Sequence, residues 1–288
     1  MNKTNKIAFQ GEYGANSDIA CHDVFPDMEP FPCTTFEDTF KAVQSGIADL
    51  AMIPIENTLA GRVADIHYLL PRANLFIIGE YFLPIHFQLM VLKGVKREEI
   101  KAVCSHIHAL GQCRQIIRKS AWKTIAVEDT AGAAKLIAHT GDRSMAALAP
   151  YLAAKLYGLD IIQENVEDSP DNTTRFIILS REKKGAENSQ NEKEIITSLI
   201  FRICNVPAAL YKALGGFATC GINLTKLESY QIEGDFQATQ FYADIEGHPD
   251  NHLVKLALEE LSFFSSELRI VGIYPASNFR LRREISSD

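Results

Sequence analysis

The chain lacks the features that would place it quickly in several large classes. No apolar run approaches the roughly 20 residues of a membrane-spanning helix. The longest candidates are interrupted by Glu80 and Lys93, and by Arg202, Pro207 and Lys212. Positive charge is not in excess: 29 Lys and Arg stand against 36 Asp and Glu, a formal net charge of -7. That balance argues against wholesale binding to nucleic acid or anionic lipid. The cysteines (Cys21, Cys33, Cys104, Cys113, Cys204 and Cys220) form no C-x-x-C pair. The polar start, Met1 to Lys6, leads into a strand-like run without the apolar region of a secretory signal, so reduced thiols in a soluble, cytoplasmic protein are expected. G-x-x-x-x-G-K-[ST] and G-x-S-x-G are both absent, and Gly11-x-x-Gly14 falls short of a dinucleotide fingerprint, so no nucleotide or redox cofactor is implied.

What is present is ordinary globular composition, 47% apolar and 23% charged over 288 residues. That length suggests two domains and buries enough surface to need no disulfide or metal staple. The stretch Glu182 to Glu194, EKKGAENSQNEKE, has almost no apolar content and reads as the linker. It separates residues 1–181 from 195–276, and a polar tail, 277–288, is expected to fray. The first part alternates apolar runs with helical patterns. Strands are expected at Ile7 to Phe9, Leu50 to Ile55, Leu75 to Tyr81, Phe87 to Leu92, Thr124 to Val127, Ala146 to Leu148 and Arg175 to Leu179. Helices are expected at Asp18 to Phe25, Phe36 to Ser45, Ala109 to Arg118, Ala131 to His139 and Tyr151 to Tyr157. Such alternation implies an α/β architecture with largely parallel sheets. The second part reads βαββαβ, with strands at Ile195 to Ile203, Asn223 to Tyr230, Gln237 to Ile245 and Leu268 to Tyr274. Its helices are Ala208 to Ala218 and Asp250 to Phe263. This order is the ferredoxin-like arrangement, an antiparallel sheet with both helices on one face.

One arrangement recurs in the first part: a strand ends, a Ser, Thr or Asn follows, and a helix begins. It occurs at Gly11-x-x-Gly14-x-x-Ser17, at Pro54-Ile55-Glu56-Asn57-Thr58, at Ser105-His106 and at Asp129-Thr130-Ala131-Gly132. Any one instance is ordinary capping. Four at strand C-terminal ends point to a shared anionic ligand, a carboxylate or phosphate. Glu56 and Asn57 follow directly on an apolar strand, and Glu56 reads equally as a helix-end carboxylate or a polar group of a pocket. In Asp168 to Ile178, DSPDNTTRFII, Arg175 offers a planar fork for a carboxylate. The alternative for Arg175 is a solvated turn with a pair to Asp168 or Asp171. His106 and His108 lie two apart without a supporting Cys or carboxylate, so capping is favoured over a metal.

These residues resemble the prephenate dehydratase family over nearly the whole chain, without a fused chorismate mutase domain. Gly11, Gly14, Ser17 and Ala20 keep a G-x-x-G-x-x-S-x-x-A opening. PIENTLAG is similar to the family's P-I-E-N-S-x-x-G, with Thr58 for the usual Ser. Ser105, His106, Ala109, Leu110, Gln112 and Cys113 match S-H-x-x-A-L-x-Q-C. Asn172, Thr174, Arg175 and Phe176 match N-x-T-R-F, the most specific of these. The second part resembles an ACT regulatory domain, through Asn205-Val206-Pro207-Ala208-Ala209-Leu210 and Gly221-Ile222-Asn223-Leu224-Thr225-Lys226-Leu227-Glu228-Ser229.

The resemblance implies a bilobal catalytic domain like that of periplasmic solute-binding proteins, with the site between the lobes. The reaction would take prephenate to phenylpyruvate, carbon dioxide and water, without metal or cofactor. Thr174 would donate a proton or hydrogen bond to the leaving hydroxyl. Arg175, Asn57, Ser105 and Thr130 would orient carboxylates, and Glu56 would orient Thr174 or bind the hydroxyl. Ser17, Thr58, His106, Ala131, Asn172, Thr173 and Phe176 complete the expected substrate site. The ACT resemblance implies feedback by L-phenylalanine at a subunit interface, near Ala208, Ala209, Leu210, Asn223, Leu224, Glu228 and Ser229, in a homodimer or homotetramer. Two departures bear on the effector: Tyr230-Gln231 stands where the family often has Arg-Pro, and Ala208 where Gly is common. The competing readings are an arogenate or cyclohexadienyl dehydratase, a non-catalytic amino-acid sensor, and a periplasmic binding protein.

Overall fold

The computed structural model describes residues 5–186, 194–203, 206–232 and 235–280, with backbone alone at 232 and 235–239. Cys204, Asn205, most of the expected linker (187–193) and the end of the tail (281–288) lie outside the described residues. In chain order the elements are β1 (Lys6–Gln10), α1 (Asn16–Val24), β2 (Glu29–Cys33), α2 (Phe36–Gln44), β3 (Leu50–Asn57), β4 (Gly61–Arg62), α3 (Ala64–Leu69), β5 (Phe76–Pro84) and β6 (Gln88–Val91). Next come β7 (Ala102–His106), α4 (Ile107–Gln112), α5 (Arg114–Ser120), β8 (Lys123–Val127), α6 (Thr130–Thr140), β9 (Met145–Ala149), α7 (Tyr151–Tyr157), β10 (Asp160–Gln163) and β11 (Thr173–Ser180). The chain closes with β12 (Ile195–Ile203), α8 (Ala209–Thr219), β13 (Leu224–Ile232), β14 (Asp235–Glu246), α9 (His252–Phe263) and β15 (Ser265–Pro275). They form two compact units. One holds residues 1–66 and 82–176; the other holds 67–81 and 177–288.

The first unit has two lobes. In one lobe β2, β1 and β3 run parallel, with β11 next to β3. The strand β2, EPFPC, was not expected, because Pro30 and Pro32 donate no ladder hydrogen bonds. It is tolerated because β2 lies at the edge of its sheet and needs donors on one side only. The other lobe carries the sheet β10-β6-β9-β7-β8, in which β7 is parallel to β8 and β9 while β6 is antiparallel to β9 and β10. The chain leaves the first lobe after β5 and returns at β11, where the Ile85 N–H donates to the Asn172 carbonyl at 2.8 Å.

The loop between β1 and α1 belongs to the first lobe by sequence but packs on the second. Ala15 sits in an apolar cluster with Met90, Ala133, Ile137 and Ala153. Lys135 pairs with Glu12 at 2.9 Å, and the Tyr157 hydroxyl donates to the Tyr13 carbonyl at 3.0 Å. Gly14 has φ +89°, and a Cβ there would come within 2.8 Å of the Ala153 Cα. Only glycine meets both demands.

Two expectations for this unit change. The helix expected over Ala109 to Arg118 breaks at Cys113 into α4 and α5. Asp168 causes the break, its carboxylate accepting the N–H groups of Arg114 (2.9 Å) and Gln115 (3.0 Å) and so capping a new helix. The strand expected over Leu50 to Ile55 runs on to Asn57, and a short return strand follows instead of a helix, with Glu56 opposite Arg62 and Asn57 opposite Gly61. Glu56 is therefore a strand residue and not a helix-end carboxylate.

The second unit contains β12-α8-β13-β14-α9-β15, with the four strands in the order β13-β14-β12-β15 and antiparallel throughout. This is the expected ferredoxin-like arrangement. Leu199, Phe201, Phe217, Phe241, Val254 and Leu261 fill the core of its helical side. Residues 67–81 belong to this unit although they precede it by a hundred positions. Gly272 of β15 pairs with Ile77 of β5, and a Cβ at Gly272 would lie 2.6 Å from the Ile77 carbonyl oxygen. The tail, expected to fray from Ser277, is held as far as Arg280. Glu80, its side chain fully buried, accepts from Arg280 at 2.6 and 2.9 Å and from the Ser277 N–H at 3.1 Å.

Candidate active site

Between the two lobes of the first unit lies a cavity of about 270 Å³. It opens at the C-terminal ends of β1, β3, β7 and β8, where parallel strands leave helix N-termini and loops free to meet a ligand. Gln10 and Gly11 come from β1, Asn16 and Ser17 from the start of α1, and His106 from β7. Asp129 and Thr130 lie at the start of α6. Asn57, Asn172, Thr174 and Phe176 form the wall nearest the lobe crossings, and Ile85 and Phe87 add apolar surface. Among the described residues no Lys or Arg lines the cavity, while Glu128 and Asp129 do.

Asn57 organises one wall. Its side-chain oxygen accepts the N–H groups of Leu59 (3.0 Å) and Ala60 (2.8 Å), which fixes the carboxamide. Its Nδ2 then donates to Thr174 Oγ1 at 2.9 Å and Asn172 Oδ1 at 2.7 Å. Asn172 Nδ2 in turn donates to Gln112 Oε1 at 2.7 Å. The run Gln112, Asn172, Asn57, Thr174 thus joins a helix of one lobe to two strands of the other. Thr174 accepts within this run, so its own proton is directed to whatever fills the cavity. Thr58 ties the strand ends together: its N–H donates to the Thr173 carbonyl (2.9 Å), and its Oγ1 accepts from the Thr173 N–H (2.9 Å) and donates to the Asp171 carbonyl (2.8 Å).

Several expected residues stand behind the wall and not on it. Arg175, its side chain 1% exposed, pairs with Glu56 at 3.0 Å, and the Phe82 ring lies 6.0 Å from its guanidinium. The partner is Glu56, neither Asp168 nor Asp171. Ser105 is fully buried and donates to the Leu148 carbonyl at 2.6 Å, which links β7 to β9. Ala131 and Thr173 are buried as well. Among the expected substrate residues, Ser17, His106, Thr130, Asn172 and Phe176 reach the cavity together with Asn57 and Thr174. Gln10, Asn16, His108, Gln112, Glu128 and Asp129 also line the cavity, and none of them was expected to bind substrate. Gln112 already stood in the S-H-x-x-A-L-x-Q-C match, but its partner lies 60 positions away, which no local pattern displays.

Electrostatically the site combines neutral donors and helix ends with the acidic Glu128 and Asp129. Burial, with His108 beside it, pushes the His106 imidazole below the ordinary value. Its Nδ1 accepts the His108 N–H at 3.3 Å, which leaves the proton on Nε2. Asp129 caps α6 through the Gly132 N–H at 2.6 Å, and burial raises its pKa above the ordinary carboxylate value. The start of α1 has no side-chain cap, so its first N–H groups, at Asn16 and Ser17, remain available beside the cavity. Among the described residues no three His, Cys, Asp or Glu gather as a metal site would require.

Two lobes with a polar cleft at the strand ends, followed by a ferredoxin-like βαββαβ unit, define a two-part α/β enzyme of solute-binding-protein architecture. A model of the prephenate dehydratase family matches residues 7–184, and the chain belongs to that family, whose members are hydro-lyases. A Komagataeibacter europaeus protein described as a bifunctional N-acyl-homoserine lactone acylase/prephenate dehydratase is 48% identical over 280 residues, covering 97% of this chain and 99% of that protein. An Arabidopsis thaliana protein, chloroplastic arogenate dehydratase/prephenate dehydratase 2, is 38% identical over 285 residues, covering 96% of this chain and 74% of that protein. The crystal structure of prephenate dehydratase from Arthrobacter aurescens, in complex with L-phenylalanine, superposes with a TM-score of 0.85 at 30% identity, covering 94% of this chain and 92% of that chain.

Proposed function

We propose that the cleft converts prephenate to phenylpyruvate, carbon dioxide and water, and that Thr174 hydrogen-bonds the departing hydroxyl. The observation that carries this is Thr174 Oγ1 on the cavity wall, accepting from Asn57 with its proton unspent. As the C–O bond breaks, the hydroxyl takes a proton and leaves as water. The electron pair of the carbon–carboxylate bond moves into the ring, carbon dioxide departs, and the ring becomes aromatic. The threonine regains its proton from solvent. Because aromatisation drives the step, the protein's task is to orient the substrate and stabilise the leaving group. The uncapped α1 N-terminus suits a carboxylate. Asn57, Asn172 and Gln112 hold Thr174. Arg175 and Glu56 brace the strand ends from behind the wall, in place of the direct carboxylate contact expected of Arg175.

The domain assignment belongs to the same reading: residues 1–181 carry catalysis, and 195–276 form an ACT regulatory domain in a cytoplasmic homodimer or homotetramer that answers to L-phenylalanine. The bound L-phenylalanine of the Arthrobacter aurescens relative supports that effector. Arg202, Gln240 and Tyr230 share one row of the sheet, so Glu228 and Ser229 lie at the same end as the start of α8, where Ala208, Ala209 and Leu210 stand. Glu228 and Ser229 themselves point to opposite faces of β13, Ser229 being opposite the core residue Phe241. Asn223 contributes its carbonyl to the Glu246 N–H at 3.0 Å, and Leu224 packs against the core.

A second substrate is favoured by one observation. Glu128 and Asp129 line a cavity without Lys or Arg, which suits the ammonium of arogenate. The acylase activity named for the Komagataeibacter relative finds less support, since Thr174 is bonded to a carboxamide that cannot take its proton. The test is product formation by the purified chain from prephenate, from arogenate and from an N-acyl-homoserine lactone, each with and without L-phenylalanine. Phenylpyruvate from prephenate, suppressed by L-phenylalanine, is expected. Hydrolysis of the N-acyl amide, releasing homoserine lactone, without phenylpyruvate formation from prephenate would overturn the reading.

A further inference from the structure

We propose that His67, wedged between Tyr230 and Tyr242, is the joint that links the effector strand β13 to the active-site strand β3. The inference rests on the regulatory reading above. His67 is buried, with its ring centroid 5.9 Å from that of Tyr230 and 5.5 Å from that of Tyr242. Tyr230 is fixed from the other side by the Gln240 amide, which donates to its hydroxyl at 2.8 Å. Tyr230 follows Ser229 directly and stands where the resembled family often has arginine. On the sheet Glu228, Tyr230 and Tyr242 share the face that receives His67, because Glu228 is opposite Tyr242 and Tyr230 is opposite Gln240. Close-packed rings do not yield gradually, so a shift of β13 at Glu228 to Tyr230 must carry His67 with it or unpack it.

From His67 the way back to the cleft is short and ordered. His67 lies in α3, and the Ile66 N–H donates to the Val63 carbonyl at 3.2 Å. The Val63 N–H donates to the Ile55 carbonyl at 3.0 Å, and Arg62 and Gly61 pair with Glu56 and Asn57. Ten residues after Asn57, through a tight turn at 58–60 and the β3–β4 pairing, the chain reaches His67. A displacement there alters the strand end on which Asn57 holds Thr174. The effector would thus act by loosening the alignment of Thr174 and need not approach the cleft.

The full chain is assayed for phenylpyruvate formation over a range of L-phenylalanine, and L-phenylalanine binding is measured by calorimetry on the same samples. The variants are Tyr230→Leu, His67→Leu and Tyr230→Phe. Both leucine variants are expected to keep uninhibited kcat within about twofold and L-phenylalanine binding within about threefold, while the half-inhibiting concentration rises about tenfold or inhibition disappears. Tyr230→Phe keeps the ring and is expected to keep the response. Inhibition unchanged in both leucine variants overturns the proposal. A loss of binding equal to the loss of inhibition also overturns it, by making the rings part of the effector site. A wild-type chain that turns over without responding to L-phenylalanine overturns it while leaving the dehydratase reading intact; a chain with no turnover fails the dehydratase reading first, and this inference with it.

Discussion

Two hydrogen-bonded networks, one in each unit, show how similar residue types serve different ends. In the cleft, Gln112, Asn172 and Asn57 are neutral amides: Asn57 donates both to Asn172, which donates on to Gln112, and to Thr174, which keeps its own proton to spare. In the second unit, Asp244 is a fully buried carboxylate whose Oδ1 accepts from Ser198 at 2.5 Å and from Tyr242 at 2.7 Å. Ser198 also bonds Tyr274 at 2.8 Å, which brings β15 into the set. The first network keeps one donor for a ligand. The second spends its donors on one buried carboxyl group and thereby ties β12, β14 and β15 together. A polar network at the end of a sheet is therefore not functional because it is polar; its unspent proton and the cavity before it distinguish it.

Substitutions that exchange or cancel this difference sharpen the comparison. Thr174→Val removes the unspent donor, and kcat for prephenate is expected to fall about 10³-fold, within the span usual for lost proton transfer, with urea unfolding unchanged. Asp244→Ala strips the acceptor from the other network, leaving buried hydroxyls without it. Unfolding free energy is expected to fall by about 3 kcal/mol while prephenate turnover by the folded fraction persists. If Asp244→Ala instead abolished turnover at full stability, the division between the networks would collapse.

Two smaller effects probe the backbone and the burial near each network. Ala208 caps α8 at φ +57°, the left-handed region where a side chain is disfavoured. Ala208→Gly should raise unfolding free energy by about 1 kcal/mol, read from the urea midpoint. Asp18 is buried, accepts the Gly14 N–H at 2.8 Å, and has its pKa raised by burial. Its charged form is penalised in the folded state, so the penalty is full above the raised pKa and gone below the unfolded value near 3.8. Asp18→Asn, whose oxygen still accepts from Gly14, should raise Tm by about 2 °C at pH 7. The gain should vanish as pH falls below about 4, where wild-type Asp18 is itself neutral.

Periodicity carried most of the fold. The βαββαβ unit was legible throughout, because apolar alternation and the stripe on α9 are local signals. Several parts were not: α3 and β10 went unread, and three further features have a clear cause. The strand β2 hides behind two prolines that only an edge position permits. The break at Cys113 depends on Asp168, 55 positions away in the chain and adjacent only in the fold. Residues 67–81 join the second unit through single contacts such as Gly272 with Ile77, which no window of sequence displays. At the site, Thr174, Asn57 and Asn172 were readable as a motif. The placement of Arg175 behind the wall was not, since a guanidinium suits Glu56 as well as it suits a substrate carboxylate.

The central claim is that the Thr174 proton, and not merely its bulk, serves the leaving hydroxyl. It is tested most directly by comparing Thr174→Ser with Thr174→Val, with prephenate binding measured by calorimetry on both. Serine keeps a hydroxyl that Asn57 can hold; valine keeps the shape alone. The account predicts similar prephenate affinities and a kcat at least about 100-fold higher for Thr174→Ser. Equal kcat values for the two variants, at equal affinity, would contradict it.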